Sequence, residues 1–146
     1  LAKGKTVMKG YWNRLKETRE IIQSDGWLKT GDLGHLDKKG RLYISAGRKK
    51  DLIIRAGENV SPLAIENTLM GHPAPAEVAA VGIPDKRFGE KVKVCIVLRE
   101  GAEATEHELK DFCRKKLPPF MTPDTIEFHD SLPKTATGKI IKDQLK

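Results

Sequence analysis

Apolar residues change their spacing several times along this chain, and each change predicts an element. From Glu77 to Ile83, and again from Val92 to Leu98, Val, Ile and Ala dominate, which predicts two core strands. Leu109, Phe112, Cys113 and Leu117 recur at helical spacing; Thr105-x-x-Glu108 supplies a capping box ahead of them and Pro118-Pro119 ends the run. Ser61-Pro62 predicts another helix start, because serine caps free amides and proline is preset for the first helical position. That helix runs to Met70 and stops at Gly71, with Pro73 beyond. Thr125 to Phe128 reads as one more short strand and Ile140 to Leu145 as a short terminal helix. The order from Ser61 onward is helix, strand, strand, helix, strand, helix, a small sheet packed by helices.

The first third has a different pattern. A short helical stretch near Arg14 to Gln23 has Leu15, Ile21 and Ile22 as its few apolar positions. Residues 34–46 predict a hairpin that turns at Lys38-Lys39-Gly40. Asp51 to Ile54 and Glu58 to Val60 predict two short strands flanking Gly57. Residues 1–49 are Gly-rich, read as strand-rich, and lack an obvious core of their own. The expectation is the end of a larger preceding domain over 1–49 and a small domain over 50–146, in an α/β (α+β) fold. A start at Leu1-Ala2-Lys3, without Met, fits a fragment.

Composition narrows the function classes. The 146 residues are 38% hydrophobic and 32% charged, and no apolar run approaches a membrane helix. Without an apolar signal core, a cytoplasmic location is expected. Cys95 and Cys113 are isolated and predict buried thiols rather than a disulfide framework. His35, His72, His107 and His129 show no metal-ligand spacing, so no metal site is expected. A net charge of +7 admits nucleic acid, an anionic membrane or phosphorylated ligands, with a solvated, lysine-rich surface as the plainer reading. The basic residues are spread along the chain and aromatics are only 5%, so base-stacking platforms are scarce.

Three stretches carry candidate chemistry: Gly26-Trp27-Leu28-Lys29-Thr30-Gly31-Asp32, Gly47-Arg48-Lys49-Lys50 running on to Asn59, and Leu132 to Ile140 with Gly138-Lys139 inside it. An ionised aspartate accepts two hydrogen bonds from a vicinal diol, an arginine offers forked donors to phosphate or ribose, and a lysine behind a glycine can place a compact charge beside a phosphate. Taken alone, Asp32 is a turn aspartate, Arg48 a solvated cation and Gly57 a turn glycine. Gly138-Lys139 is not a P-loop, since Ile140 follows it and Pro133 holds the place of the first glycine.

In this order, the three stretches resemble the adenylate-forming enzymes, and among them the acyl-CoA synthetases; the resemblance runs from Gly4 to Lys142. It implies that Asp32 and Arg48 hold the ribose of ATP or AMP, that Lys139 is the catalytic cation, and that Lys50 is the hinge of a mobile small domain. It implies that Ala56, Gly57 and Glu58 border the path of the CoA pantetheine arm. Some relatives have arginine where Asn59 stands. The resemblance further implies ATP, Mg2+ and CoA as substrates or ion of a full-length enzyme, none held tightly by this stretch alone. A small carboxylic acid and an upstream N-terminal domain are the other partners; neither nucleic acid nor a membrane span is expected. The phosphate loop and the acid pocket of the family would lie in that upstream domain. A peptide-synthetase adenylation domain or a luciferase-like enzyme shares the resemblance with a different acceptor. A basic nucleic-acid-binding module is the reading from another class, and it leaves the three ordered stretches unexplained.

Overall fold

Strands begin only at Asp32 in the computed structural model, which describes residues 1–146 except the side chains of Ser45 and Ala46. The chain forms two compact units, Leu1–Asp32 and Leu33–Lys146. The first holds one helix, α1 (Leu15–Ile21), with no buried residue, and isolated bridges from Leu28 to Ala2 and to Ile22. The Thr18 hydroxyl ties this unit locally: it donates to Arg14 O at 2.8 Å and accepts from Tyr11 N–H at 2.9 Å. The strand-rich character expected over 1–49 is therefore confined to its last part. The stretch before Asp32 has too few alternating apolar positions to sustain a ladder.

The expected hairpin, β1 (Asp32–Leu36) with β2 (Leu42–Arg48), follows, all of it but Asp32 in the second unit. Asp37 organises its turn by accepting from Lys39 N–H, Arg41 N–H and Arg41 Nε, all within 2.9 Å. A 3-10 turn, Lys49–Asp51, leads to β3 (Ile53–Arg55), which begins two residues later than the pattern suggests, and to β4 (Glu58–Val60). Then come α2 (Pro62–Met70), β5 (Pro75–Asp85), β6 (Gly89–Leu98), α3 (Glu106–Arg114) and β7 (Thr125–Phe128). Both helix starts are capped as expected: Ser61 Oγ accepts from Ala64 N–H and Thr105 Oγ1 from Glu108 N–H, each at 3.2 Å. The terminal helix expected over Ile140–Leu145 is instead a 3-10 turn, Lys142–Leu145. So short a segment cannot recover the cost of nucleating an α-helix.

The sheet has five strands in the order β4-β3-β6-β5, with β7 also on β6. β5 pairs antiparallel with β6 from Pro75↔Leu98 to Asp85↔Gly89, and β7 runs parallel to β6 from Lys93↔Thr125 to Ile96↔Phe128. Alternate residues of β5 and β6 face opposite sides, and both sides are covered. On one face Val78, Ala80, Val92, Val94 and Ile96 pack with Ile65 and Leu69 of α2 and Leu109 and Cys113 of α3. On the other, Ala79, Val81 and Cys95 pack under Leu132 and Leu145, with Ile140 beside them. Two covered faces explain why these strands read as continuous apolar runs rather than as alternation. The second face is covered by the chain end that carries Lys139.

Candidate active site

Lys139 is exposed and closes a hydrogen-bonded turn that starts at Thr135. Lys134 and Ile140 form an antiparallel bridge at its base. Thr135 N–H donates to Lys139 O at 2.8 Å, and Thr135 Oγ1 accepts from Lys139 N–H at 3.1 Å. Gly138 closes the turn at φ +81°, a conformation an L side chain adopts only with strain. Gly138 N–H donates to Thr135 O at 2.9 Å, so the glycine belongs to the same set of turn hydrogen bonds. Leu132 and Leu145, 4% and 6% exposed, anchor the segment on either side of the turn.

Arg48, Lys50, Leu63, Glu66, Thr135 and Lys139 line one open groove of about 810 Å³. The fold therefore brings Lys139 to Arg48 and Lys50, which neighbour each other in sequence but lie far from it. Arg48 ends β2 and Lys50 sits in the 3-10 turn after it; both are exposed. Lys50 faces the last turn of the chain: the Lys146 ammonium, 2.9 Å away, holds the Asp143 carboxyl below its usual range, and Lys50 adds to that shift. Arg48, Lys50, Lys139 and Lys142 share the groove with the carboxylates of Asp51, Glu66 and Asp143, and the cations supply donors that a phosphate or carboxylate can accept from. Asp32 lies at the end of the first unit, exposed, with its backbone N–H donating to Thr30 Oγ1 at 3.2 Å.

Ala56, Gly57 and Glu58 do not line that groove. They form the exposed tip of the β3–β4 hairpin, where Arg55 pairs with Glu58 and Ala56 and Gly57 hold φ +50° and +85°. Positive φ at both central residues is the signature of a type I′ turn, whose twist matches the strands. Arg55 braces this hairpin from below. Its guanidinium donates to Phe120 O and Thr122 O at 3.1 Å and to Asp124 Oδ1 at 2.7 Å. Asp124 Oδ2 in turn accepts from Val92 N–H at 2.9 Å. Lys86 and Arg87 occupy the β5–β6 turn, which Asp85 organises by accepting from Arg87 and Phe88 N–H at 2.9 Å and pairing with Lys91 at 2.7 Å. The Lys91 bond, then the backbone bonds, lower the Asp85 pKa to about 2.

Sequence spacing did not reveal two groupings. Glu66 meets Lys142 at 2.7 Å beside the groove; the available signal was a lone charge on an otherwise uncharged helix. Cys95, Glu127 and His129 gather ligating atoms within 4.8 Å on the β6–β7 pair, though the Lys93 ammonium already stands 3.1 Å from Glu127. Burial raises the pKa of Cys95, and that of Cys113 to about 11, so both thiols are buried and protonated as expected. Among the described residues no helix is long and apolar enough to cross a membrane.

Residues 64–139 match the family model of the AMP-binding enzyme C-terminal domain. Over 145 residues the chain is 47% identical to a long-chain-fatty-acid–CoA ligase of Bacillus subtilis, covering 99% of this chain and 26% of that protein. It superposes on o-succinylbenzoate CoA synthetase MenE from Bacillus subtilis, in complex with the acyl-adenylate intermediate OSB-AMP, with TM-score 0.91 and 41% identity, over 99% of this chain and 29% of that one. With ATP-bound MatB from Rhodopseudomonas palustris the values are 0.85 and 37%, over 98% and 28%. The chain thus spans little more than a quarter of the length of these relatives.

Proposed function

The chain belongs to the AMP-binding enzyme C-terminal domain family, and from that premise we propose that it is the C-terminal part of an ATP-dependent acyl-CoA synthetase. Residues 1–49 are the end of the large nucleotide-binding domain and residues 50–146 the mobile small domain. The observation that carries this reading is the groove lined by Arg48, Lys50 and Lys139 together. The relatives' names and bound ligands support the same chemistry.

In the first half-reaction a carboxylate oxygen of the acid attacks the α-phosphate of ATP. The bond to pyrophosphate breaks, and an acyl-adenylate forms. Negative charge develops between the carboxylate and the α-phosphate. The Lys139 ammonium stabilises it as a fixed cation, not as a base. Asp32 accepts hydrogen bonds from the ribose hydroxyls and Arg48 donates to ribose or phosphate oxygens. Mg2+, if bound with the nucleotide, would offset its phosphate charge. In the second half-reaction the CoA sulfur attacks the acyl carbon, the thiol proton is lost, and AMP leaves. Rotation at Lys50 withdraws Lys139 and brings the Ala56-Gly57-Glu58 tip to the pantetheine path. That the tip and Lys139 occupy separate places on the small domain is what such an exchange needs.

The test is pyrophosphate release by the full-length protein over a panel of carboxylic acids, with and without CoA. Acid-dependent release accelerated by CoA is expected. Release indifferent to CoA would move the acceptor to a carrier protein or another group, and no release would overturn the reading. Lys139→Ala is expected to slow adenylation about 100- to 1,000-fold, on the scale of a lost oxyanion donor. Thioester formation from supplied acyl-adenylate should persist, and equal loss of both halves would remove Lys139 from this role.

A further inference from the structure

Glu66 is the sole charged residue of α2, and its side chain is only 16% exposed. Its Oε1 takes two donors, the Ala80 backbone N–H of β5 at 2.8 Å and Lys142 Nζ at 2.7 Å. β5 ends the strand order, so amides on its outer side need partners from outside the sheet; Ala80 finds one in Glu66. A carboxylate removed from water is costly unless paired and hydrogen-bonded, and here it is both.

Lys142 stands three residues beyond Lys139, at the start of the last 3-10 turn. Ile141 N–H, between them, donates to Pro133 O at 2.8 Å and closes the base of the Lys139 turn. A polar strut therefore runs from α2 and β5 through Lys142 to the base of that turn. The other leg of the turn has its own pair, Lys134 with Glu77 at 2.7 Å, but those side chains are 41% and 30% exposed. Water screens that contact, and exposed pairs hold little. The Glu66–Lys142 pair, at 16% and 24%, is the better shielded of the two and borders the groove itself.

We infer that Glu66 is a positioning residue for adenylation: through Lys142 it sets the reach of Lys139 into the groove. This rests on reading Lys139 as the adenylation cation. A charge that must meet a developing charge is sensitive to displacement of its base, because the stabilisation depends on preorganised distance.

The experiment uses the full-length enzyme. Glu66→Gln keeps an oxygen for the Ala80 N–H and removes the charge that holds Lys142. Lys142→Met removes the other partner with a stem of similar length. Each is expected to lower the turnover of acid-dependent pyrophosphate exchange about 10- to 100-fold, the scale of a misplacement on the order of 1 Å. The loss should fall mainly on turnover rather than on the KM for ATP, since Lys139 acts on the charge that develops in the transition state. Thioester formation from supplied acyl-adenylate and CoA should be unchanged. Lys142→Arg should restore exchange, and the double variant should be no slower than the slower single one, since both remove one contact. Equal loss in both half-reactions, losses that multiply in the double variant, or normal exchange would each overturn the inference. If Glu66→Gln does not fold, Lys142→Met carries the same test. Lys139→Ala is measured alongside. Full adenylation in that variant would overturn the reading of Lys139 itself, whereas its failure beside a fast Glu66→Gln would overturn only the role of Glu66.

Discussion

Ala56 holds φ +50° ahead of Gly57 at +85°, so the exposed hairpin tip places a side chain where glycine or asparagine is the usual choice. Its neighbour Gly57 satisfies the turn without strain, because no Cβ is present. Ala56→Asn is expected to stabilise the chain by up to about 1 kcal/mol, since asparagine tolerates the left-handed region that penalises alanine. Urea unfolding of the two proteins checks it, and an unchanged or lower midpoint would refute the turn assignment. At this scale the residue types at the candidate site were legible and their geometry was not. Gly138-Lys139 stood out as a pair in sequence. Only the bonds from Thr135 and the bridge from Lys134 to Ile140 show that the lysine is presented on a closed turn rather than a loose one.

The turn between β5 and β6 is organised by a single ionised group. Asp85 accepts two backbone bonds and pairs with Lys91, and its pKa falls from 3.8 to about 2. A carboxyl depressed in the folded state stabilises it above the unfolded pKa, and that stabilisation is lost as pH falls toward the folded value. The contribution of Asp85 should therefore be complete above 3.8 and decline down to about 2. Asp85→Asn is expected to lower the melting temperature at neutral pH and to flatten its fall across that acid window; melts at a series of pH values read both. Elements of this size were largely legible. Capping residues, prolines and runs of Val and Ile act on their immediate neighbours, so α2, α3, β5 and β6 follow from local sequence. The last turn was misread as a helix because Ile140 and Leu145 are apolar for another reason. Both cover the second face of the sheet, a tertiary demand that leaves the backbone free to take a 3-10 turn.

At the scale of the whole molecule, the proposed cycle needs one point of rotation, and the 3-10 turn Lys49–Asp51 is a short junction with an exposed lysine at its centre. Lys50→Pro locks φ there and is expected to spare adenylation while reducing CoA transfer in the full-length enzyme. Separate assays of the two half-reactions check it, and normal CoA transfer would remove Lys50 from the hinge. The amino-acid sequence by itself determined the fold class, the order of elements as far as β7, the burial of both thiols and the ordered stretches around Asp32, Arg48 and Lys139. These depend on propensity, period and residue chemistry, which adjacent positions carry. Tertiary structure alone decided that Arg48, Lys50 and Lys139 share a groove, that the Ala56–Glu58 tip lies away from it, that Glu66 reaches Lys142, and that Cys95 meets Glu127 and His129. Each of those meetings joins residues distant in sequence. Sheet register and the packing of two apolar faces bring them together, and no local pattern encodes which distant side chains will then stand opposite one another.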